Sequence, residues 1–339
     1  MQQSKFKGVL LKKLTVGITL LFFSITSASE IQEKPFIIKH LYHHHFFNLT
    51  NASVYQQIGN YGALYNATDL FFTYGITPSD EVFFHGSVVL GNGIVYHTEN
   101  LGYSVSPTGQ DLQDFIENIN DTGRKHILEL WYHKTLNGFD FTAGLIDSTS
   151  FVDENDYAND QNLQFINSAF TNNPIAVLPS YNLGVYLKYS QGRNEYKLVI
   201  IDNDPDSGTV GIFQINHSGK NWNIRPYIYN VFGGESTDNG LGISADYSLK
   251  KTGYFLRIGI PFKNQNSFFS GGFERKTIFN KNDRLGFAVG LINKDKNTII
   301  SEIYYGKEIT KHLSITGDLQ YMKENQDNLI LGGRLFLSY

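Results

Sequence analysis

The chain has 339 residues, no cysteine and a formal net charge of −4, and it is rich in Tyr (21), Phe (26) and Gly (32). The lack of cysteine excludes a disulfide framework, and basic residues spread along a near-neutral chain argue against nucleic-acid binding. Beyond the N-terminal segment, no apolar run approaches the roughly 20 residues of a membrane-spanning helix. Tyr, Phe and Gly in short alternating segments are instead typical of a membrane-exposed β-sheet.

Residues 1–29 are predicted to be a secretory signal. An apolar run over 16–25 precedes small residues at 26–29, and the run is too short for a membrane anchor. No cysteine stands at the cleavage site, which excludes a lipoprotein anchor. We therefore expect cleavage after Ala28 or Ser29 and a mature domain of residues 30–339. The positive region of the signal consists of Lys5, Lys7, Lys12 and Lys13.

A histidine cluster opens the mature domain. Neutral imidazole is a good metal ligand, but no spaced carboxylate or cysteine completes a ligand set here. An arm on the periplasmic side is the favoured interpretation over a metal site, and the sequence predicts neither a metal nor a cofactor. The cluster consists of His40, His43, His44 and His45.

Alternation of apolar and polar residues, the pattern of a strand with two different faces, recurs along the chain. With the less regular segment 36–47 as the first strand, the count is sixteen, and an even number is expected for a bacterial outer-membrane barrel. The other fifteen segments are 69–74, 82–90, 128–133, 139–146, 183–189, 196–201, 210–216, 222–231, 241–249, 254–262, 268–276, 285–293, 299–307, 313–322 and 329–339.

The connections between these segments alternate in length. Asn137–Gly138 is a strong hairpin signal, and further short connections fall near 78, 193, 219, 251, 280 and 309. The longer ones are 49–65, 92–125, 148–179, 203–208 and 233–240. In outer-membrane barrels the short turns face the periplasm and the long loops face outside.

A soluble sandwich also alternates apolar and polar residues. The export signal, the alternating loop lengths and an alternating strand that stops on the aromatic Tyr339 favour a membrane barrel. The fold class predicted is an all-β transmembrane antiparallel barrel of about sixteen strands in the bacterial outer membrane. A barrel of that size leaves an aqueous channel, and the C-terminal aromatic strand would engage the barrel-assembly machinery.

The segment Gly144–Pro174 organises the rest of the chain, because it is too polar and irregular to be a strand. It carries five acidic residues and no Lys or Arg. Leu163, Ile166 and Phe170 share one face at helical spacing, and Asp160 could cap that helix. We expect this loop to fold into the lumen through its apolar face and to narrow the channel. The alternative is a solvated extracellular loop.

The same segment resembles the signature of the carbohydrate-selective porins of the OprB family. The matching positions are Asp147, Phe151, Asp153, Asn155, Ala158, Asn159, Asp160, Gln164, Phe165, Ser168, Phe170, Asn172, Asn173 and Pro174. The match covers about thirty residues, and the strand layout supports it through to the C-terminus. The resemblance implies a sixteen-stranded outer-membrane barrel for passive uptake of sugars such as glucose.

Candidate site residues follow from what a sugar offers, which is hydroxyl groups and apolar ring faces. Charged and amide groups can hydrogen-bond hydroxyls, and aromatic rings can stack on ring faces. For each basic residue, pairing with a neighbouring strand is an equally good explanation. The loop candidates are Asp147, Asp153, Asn155, Asp156, Tyr157, Gln164 and Asn173, and the wall candidates are Trp131, Lys188, Lys197, Arg225, Arg257 and Arg334.

Other functions were weighed against a sugar channel. His85 and Ser87 share a strand face and could suggest a lipase, but no third group is evident in sequence, and we predict no enzyme. A non-selective diffusion porin and a plugged structural or adhesive barrel remain alternatives, and the chain could be a monomer or a homotrimer. A short helix is expected to cap the barrel mouth through Leu112, Phe115, Ile116 and Ile119.

Overall fold

The structure, a computed structural model, describes residues 45–91, 93–94, 127–203, 208–234, 238–294, 297–324 and 327–339. The signal segment, most of the histidine cluster and the predicted mouth helix lie outside these residues. Within them, no helix has the length and apolar character needed to cross a membrane.

Sixteen antiparallel strands form one closed barrel, in which each strand pairs with its chain neighbours and β1 pairs with β16. The predicted fold class is confirmed. The strands are β1 His45–Ile58, β2 Tyr61–Thr77, β3 Asp80–Leu90, β4 Ile127–Leu136, β5 Phe139–Ile146, β6 Asn182–Gln191, β7 Asn194–Asp202, β8 Thr209–Ser218, β9 Trp222–Phe232, β10 Asn239–Leu249, β11 Thr252–Pro261, β12 Ser267–Lys276, β13 Asp283–Asn293, β14 Asn297–Thr310, β15 Leu313–Lys323 and β16 Asp327–Ser338.

The first strand was misplaced in the sequence-based prediction. The segment 49–65 is not a long loop, because β1 and β2 run through it and meet at a tight turn at residues 59–60. Strand β1 therefore begins at His45, near the end of the predicted segment 36–47. Its apolar–polar alternation is weak because residues on its outward face are polar, among them Asn51 and Ser53.

The two faces of the strands differ in the way their alternation predicts. On β10, Leu241, Tyr247 and Leu249 face outward, whereas Ser244 and Asp246 are buried in the lumen. The outward face of the barrel is the one that meets lipid, and many large apolar residues are exposed there.

The barrel closes at a seam between β1 and β16. Leu49 and Tyr339 exchange two backbone hydrogen bonds, of 3.0 and 2.9 Å. Pairing continues along the two strands, with Ser53 opposite Leu335 and Tyr55 opposite Gly333. Such closure leaves no unpaired strand edge in the membrane.

Candidate functional site

The loop between β5 and β6 folds into the lumen, as predicted. At its base, Asp147 accepts hydrogen bonds from the backbone amide of Thr149 and the hydroxyl of Ser180, each at 2.9 Å. A short 3-10 turn follows at Ser148–Ser150. Farther along, Phe165 and Phe170 are fully buried in an apolar core that includes wall residues of β11 to β16.

The helical part of the loop is shorter than the sequence indicates. Helix α1 spans only Ser168–Thr171 and is capped by Asn167, whose side chain accepts from the amide of Ala169 at 3.0 Å. Asp160 accepts from the amide of Leu163 at 3.1 Å, but it caps a single turn and no helix continues from it. The predicted helix from Asp160 is therefore wrong, and the amides of Ile166 and Asn167 donate to Glu302 of the barrel wall instead.

Arg257 of β11 is the central anchor of the loop. Its guanidinium Nε lies 3.2 Å from Oδ2 of Asp153, and both side chains are fully buried. Its Nη atoms donate to the backbone carbonyls of Asp153 (2.8 Å), Ala158 (2.6 Å) and Phe170. The amide of Asn173 also donates to Asp153, at 2.8 Å. Burial raises the pKa of Asp153 to about 6, while the Arg257 guanidinium acts in the opposite direction.

Two further wall residues hold the loop by its backbone. The carboxylate of Glu302 on β14 accepts from the amides of Ile166 and Asn167, each at 2.9 Å. The guanidinium of Arg334 on β16 donates to the carbonyl of Gln164 at 2.7 Å. Charged partners for buried backbone groups make strong hydrogen bonds, so the path of the loop is fixed on this side.

The remaining acidic residues of the loop pair with bases of the wall. Glu154 forms an ion pair with Lys197 of β7. Asp156 lies 3.4 Å from Arg225 of β9, which also contacts Asp246. Together with Asp153 and Arg257, these pairs give three of the five acidic residues of the loop a basic partner, and Arg225 is shared between Asp156 and Asp246.

Amide and hydroxyl side chains of the loop complete the docking. Asn155 donates to Ser244 at 3.1 Å, and Asn173 donates to the Tyr227 hydroxyl at 2.8 Å. Tyr157 contacts the hydroxyl of Ser248. Gln164 acts inside the loop, donating to the carbonyl of Asp156 at 2.9 Å.

Most of the sequence-predicted site residues thus lie at the interface between loop and wall. The structure gives these buried side chains a structural role, because their polar atoms are engaged by the loop and little of their surface reaches the opening. That they also contact a solute stays a prediction. They are Asp153, Asn155, Gln164, Asn173, Lys197, Arg225, Arg257 and Arg334, each at most 9% exposed. Asp147, Tyr157, Trp131 and Lys188 are half-buried, and Asp156 is exposed.

A second group of lumen-facing residues lies on β2 to β4, and we call it the β2–β4 cluster. Strand β3 lies diametrically opposite β11 in the barrel order. The rings of Phe83 and Trp131 stack with centroids 4.6 Å apart, and those of Phe71 and His85 stack at 4.3 Å. Its members are Asp69, Phe71, Phe83, His85, Glu129 and Trp131.

The polar side chains of the β2–β4 cluster bind one another. The His85 ring nitrogens Nδ1 and Nε2 lie 3.3 Å from the carboxylates of Glu129 and Asp69, respectively. The Trp131 indole donates to the other oxygen of Glu129 at 3.2 Å. Sequence reasoning named only Trp131 of this set for the site. The inward positions of β2 and β4 would have indicated Asp69 and Glu129 had the register been known.

The geometry around His85 does not match a nucleophilic catalytic group. The structure supplies flanking carboxylates that the sequence did not reveal, but they occupy both ring nitrogens, and Ser87 lies opposite Asp69 on the neighbouring strand. A catalytic base needs a free nitrogen toward its nucleophile. In the described part of the chain, no group of three or more potential ligands is placed to hold a metal ion.

The fold and the inward loop define a class, the sixteen-stranded transmembrane barrels of the porin type. Pseudomonas putida OprB, in a structure at high pH, matches with a TM-score of 0.70 at 13% identity, over 88% of this chain and 94% of that chain. A triple mutant of Rhodopseudomonas blastica porin matches with a TM-score of 0.63 at 9% identity, over 87% of this chain and 100% of that one. At such identities the likeness shows the fold.

A comparison of sequences shows which family the chain belongs to. An uncharacterized protein of Aquifex aeolicus (strain VF5) is 32% identical over 306 residues, which are 89% of this chain and 98% of the relative. The chain belongs to the same family as this Aquifex protein. No family model matches the sequence.

Proposed function

We propose that this barrel is a bacterial outer-membrane channel for the passive diffusion of small uncharged sugars of about the size of glucose. The porin fold, the export signal and the OprB-like loop signature support this function. No catalytic step, cofactor or energy coupling enters the proposal. Export would end at the outer membrane, with insertion assisted by the barrel-assembly machinery through the C-terminal aromatic strand.

The observation that carries the proposal is the pairing of charges between loop and wall. Asp153 with Arg257, Glu154 with Lys197, and Asp156 with Arg225 each place opposite charges together. An acidic loop facing a separate basic wall would create a field across the opening, which attracts ions. Opposite charges placed side by side leave a weaker field than separate acidic and basic walls would, and this favours neutral polar solutes.

The side of the lumen opposite Arg257 offers groups suited to a sugar. In the β2–β4 cluster, the half-buried carboxylate of Asp69 can accept hydrogen bonds from hydroxyls, and the half-buried rings of Trp131 and Phe83 supply apolar surface. Lys188, which lies 2.8 Å from Asp140, adds a donor on β6. Contacts of this kind are weak, as a channel requires so that its solute can leave.

Swelling of liposomes that contain the purified protein tests the proposal. Glucose, a disaccharide and an amino acid close to glucose in size serve as solutes. We expect glucose to enter faster than the other two. Equal rates for all three solutes would reduce the function to a non-selective porin, and no swelling with any solute would reject a channel.

One observation favours a second candidate, a barrel with a closed lumen. Loop residues Phe165, Ala169 and Phe170 join wall residues in an apolar core inside the barrel. Such a core could occlude the passage, and the protein would then be structural or adhesive. The absence of swelling for every solute, in protein shown to be folded, would select this candidate.

A further inference from the structure

One of the short turns carries an exposed aromatic ring among exposed basic residues. It connects β12 to β13, and the segment 275–284 contains four basic residues and one acidic residue. Arg275, Lys281 and, on the neighbouring strand β14, Lys307 are exposed. Phe279 is 79% exposed, more than any other large hydrophobic residue that the structure describes. We call Arg275, Phe279, Lys281 and Lys307 the basic turn site.

The turn has a fixed shape, because one buried carboxylate binds its backbone. Asp283 is buried and accepts hydrogen bonds from three successive amides of the turn. These are the amides of Ile278 (2.7 Å), Phe279 (3.0 Å) and Asn280 (2.9 Å). The hydroxyl of Tyr305 also donates to Asp283, at 3.0 Å. Hydrogen bonds to an ionised acceptor are strong, so the acidic group is directed into the turn and the basic groups are left at its surface.

The turn lies on the lipid side of the wall. On β14, Tyr304 is buried toward the lumen, so Tyr305 and Lys307 point outward by strand alternation. Arg275 points outward for the same reason, since the residue before it on β12 is buried in the lumen. The ring of Phe279 lies near that of Tyr305, with centroids 6.0 Å apart. The ring and the two basic side chains therefore share the face that meets lipid.

The site adjoins the edge of the apolar band. The next outward residues along β13 and β14 are Phe287 and Ile303, which are exposed and lie opposite each other. The rings of Phe273 and Phe287 have centroids 6.2 Å apart. Aromatic residues mark the boundary of the hydrocarbon in outer-membrane barrels, and the short turns face the periplasm. The basic turn site is thus at the level of the phospholipid head groups of the periplasmic leaflet.

Arg275 and Lys307 lie on either side of β13. Arg275 is opposite Leu285 in register, and Lys307 is opposite Asp283. Neighbouring strands are about 4.8 Å apart, so these two residues are separated by about 10 Å across the sheet, and their long side chains can converge on one phosphate over β13. A guanidinium donates two parallel hydrogen bonds to a phosphate, and an ammonium adds a point charge. Neither group forms an ion pair with another residue of the described segments.

We propose that the basic turn site binds the phosphate of an anionic phospholipid in the periplasmic leaflet. Arg275 and Lys307 bind the phosphate, Lys281 adds positive potential, and Phe279 contacts the acyl chains next to the head group. Basic clusters beside an apolar membrane surface attract anionic lipids. A periplasmic protein would approach the tip of the turn, whereas Arg275 and Lys307 face sideways next to the apolar band. The inference depends on the transmembrane barrel and not on the solute that passes through it.

Lipid binding to the purified, delipidated protein, measured by native mass spectrometry from detergent, tests the proposal. Each basic group near an anionic lipid contributes about fivefold. We therefore expect the first phosphatidylglycerol to bind about tenfold or more tightly than phosphatidylcholine with the same acyl chains. The double variant Arg275→Gln with Lys307→Gln should lose this preference. Arg193→Gln with Lys220→Gln removes the same charge from two other short turns and should retain it.

Phe279→Ser separates the contribution of the ring from that of the charges. It should weaken the binding of both lipids to the same extent, because the ring contacts acyl chains and not phosphate. Phe262→Ser, just after β11 at the opposite end of the barrel, is the matched control and should weaken neither; Phe262 is 60% exposed. Heat-dependent gel migration checks that each variant is folded.

Three results would overturn the proposal. The first is equal binding of the two lipids by the wild type. The second is an equal loss of the preference in the two double variants. The third is displacement of phosphatidylglycerol by inorganic phosphate in millimolar excess, which would show a site for a free anion instead of a membrane lipid.

Discussion

The two sides of the lumen use their charged residues differently. On β7 to β16, Lys197, Arg225, Arg257, Glu302 and Arg334 reach across to the loop and bind its side chains and backbone. On β2 to β4, the charged groups bind one another within the wall.

The contrast indicates two different roles for lumen residues, which are to position the loop and to contact the solute. The sequence alone does not distinguish these roles. Charges on β7 to β16 position the loop, so their loss should change the width of the channel. Charges on β2 to β4 bind one another within the wall, although Trp131 also packs against an apolar cluster that includes loop residue Val152. Their loss should change the preference among solutes more than the width of the channel. Each prediction below tests that separation.

The largest effect is expected for Arg257→Ala. The substitution leaves Asp153 buried without its cation and removes the donors to three loop carbonyls. Breaking a buried ion pair costs about 3–5 kcal/mol, so the loop should leave the wall. We expect faster entry of a disaccharide into liposomes and new cleavage by chymotrypsin at Phe151 or Phe165.

Arg193→Ala is the control for this substitution, because Arg193 is exposed in the turn between β6 and β7. It should change neither the disaccharide rate nor the cleavage pattern. An unchanged disaccharide rate in folded Arg257→Ala would show that the loop keeps its place without this anchor.

A smaller effect is expected for Glu302→Gln, which preserves shape but removes the charge that holds two loop amides. Hydrogen bonds to charged groups contribute about 1.5–3 kcal/mol, and the amide retains part of this. Hydrogen exchange at Ile166 and Asn167 should accelerate by about tenfold. Glu308→Gln, on the same strand, should leave exchange there unchanged, and equal effects of the two variants would refute a specific anchor.

On the opposite side, Trp131→Ala should alter mainly the preference among solutes. The ring stacks on Phe83, and such pairs contribute about 0.5–1.5 kcal/mol beyond burial. We expect the glucose rate to change about two- to tenfold relative to that of the amino acid, with an unaltered chymotrypsin pattern. Trp222→Ala, on β9 and 41% exposed, is the matched control. A widened channel in Trp131→Ala would contradict the separation of the two sides.

The smallest effect is expected for Asp156→Asn. The Asp156 side chain is 57% exposed and lies 3.4 Å from Arg225, and exposed ion pairs contribute about 0–1 kcal/mol. Swelling rates and loop cleavage should match the wild type within error. A disaccharide rate comparable to that of Arg257→Ala would show that exposed pairs also hold the loop.

The sequence predicted the architecture because most strands meet two different environments and alternate accordingly. The prediction misplaced strand β1 for a physical reason. Its outward positions include the polar residues Asn51 and Ser53, while inward Val54 and Ile58 pack in apolar clusters. Both faces of β1 are mixed, because inward Thr50 and Gln56 are polar and outward Phe47 is apolar. Periodicity then has no contrast to detect, and a strand resembles a loop.

The site was predictable in location but not in detail. The acidic, partly apolar segment indicated an inward loop, and its position after β5 was right. Which wall residues bind it could not be read from the sequence, because Arg257 and Asp153 are 104 positions apart and meet only through the closure of the barrel. An arginine at an inward position predicts a positive charge in the lumen. It does not show whether the guanidinium already donates its hydrogen bonds to backbone carbonyls of the loop.

The closed seam has a consequence for the order of assembly. Asn48 and Ser338, which are in contact, are separated by 290 positions, whereas the other strand pairs are chain neighbours. Hairpins can therefore form early, while closure depends on the slow meeting of distant segments. Phe165 finds its ring partners Phe255 and Tyr304 only once β11 and β14 are present. We expect the loop to acquire its shape late, near closure, and not when its own flanking strands first pair.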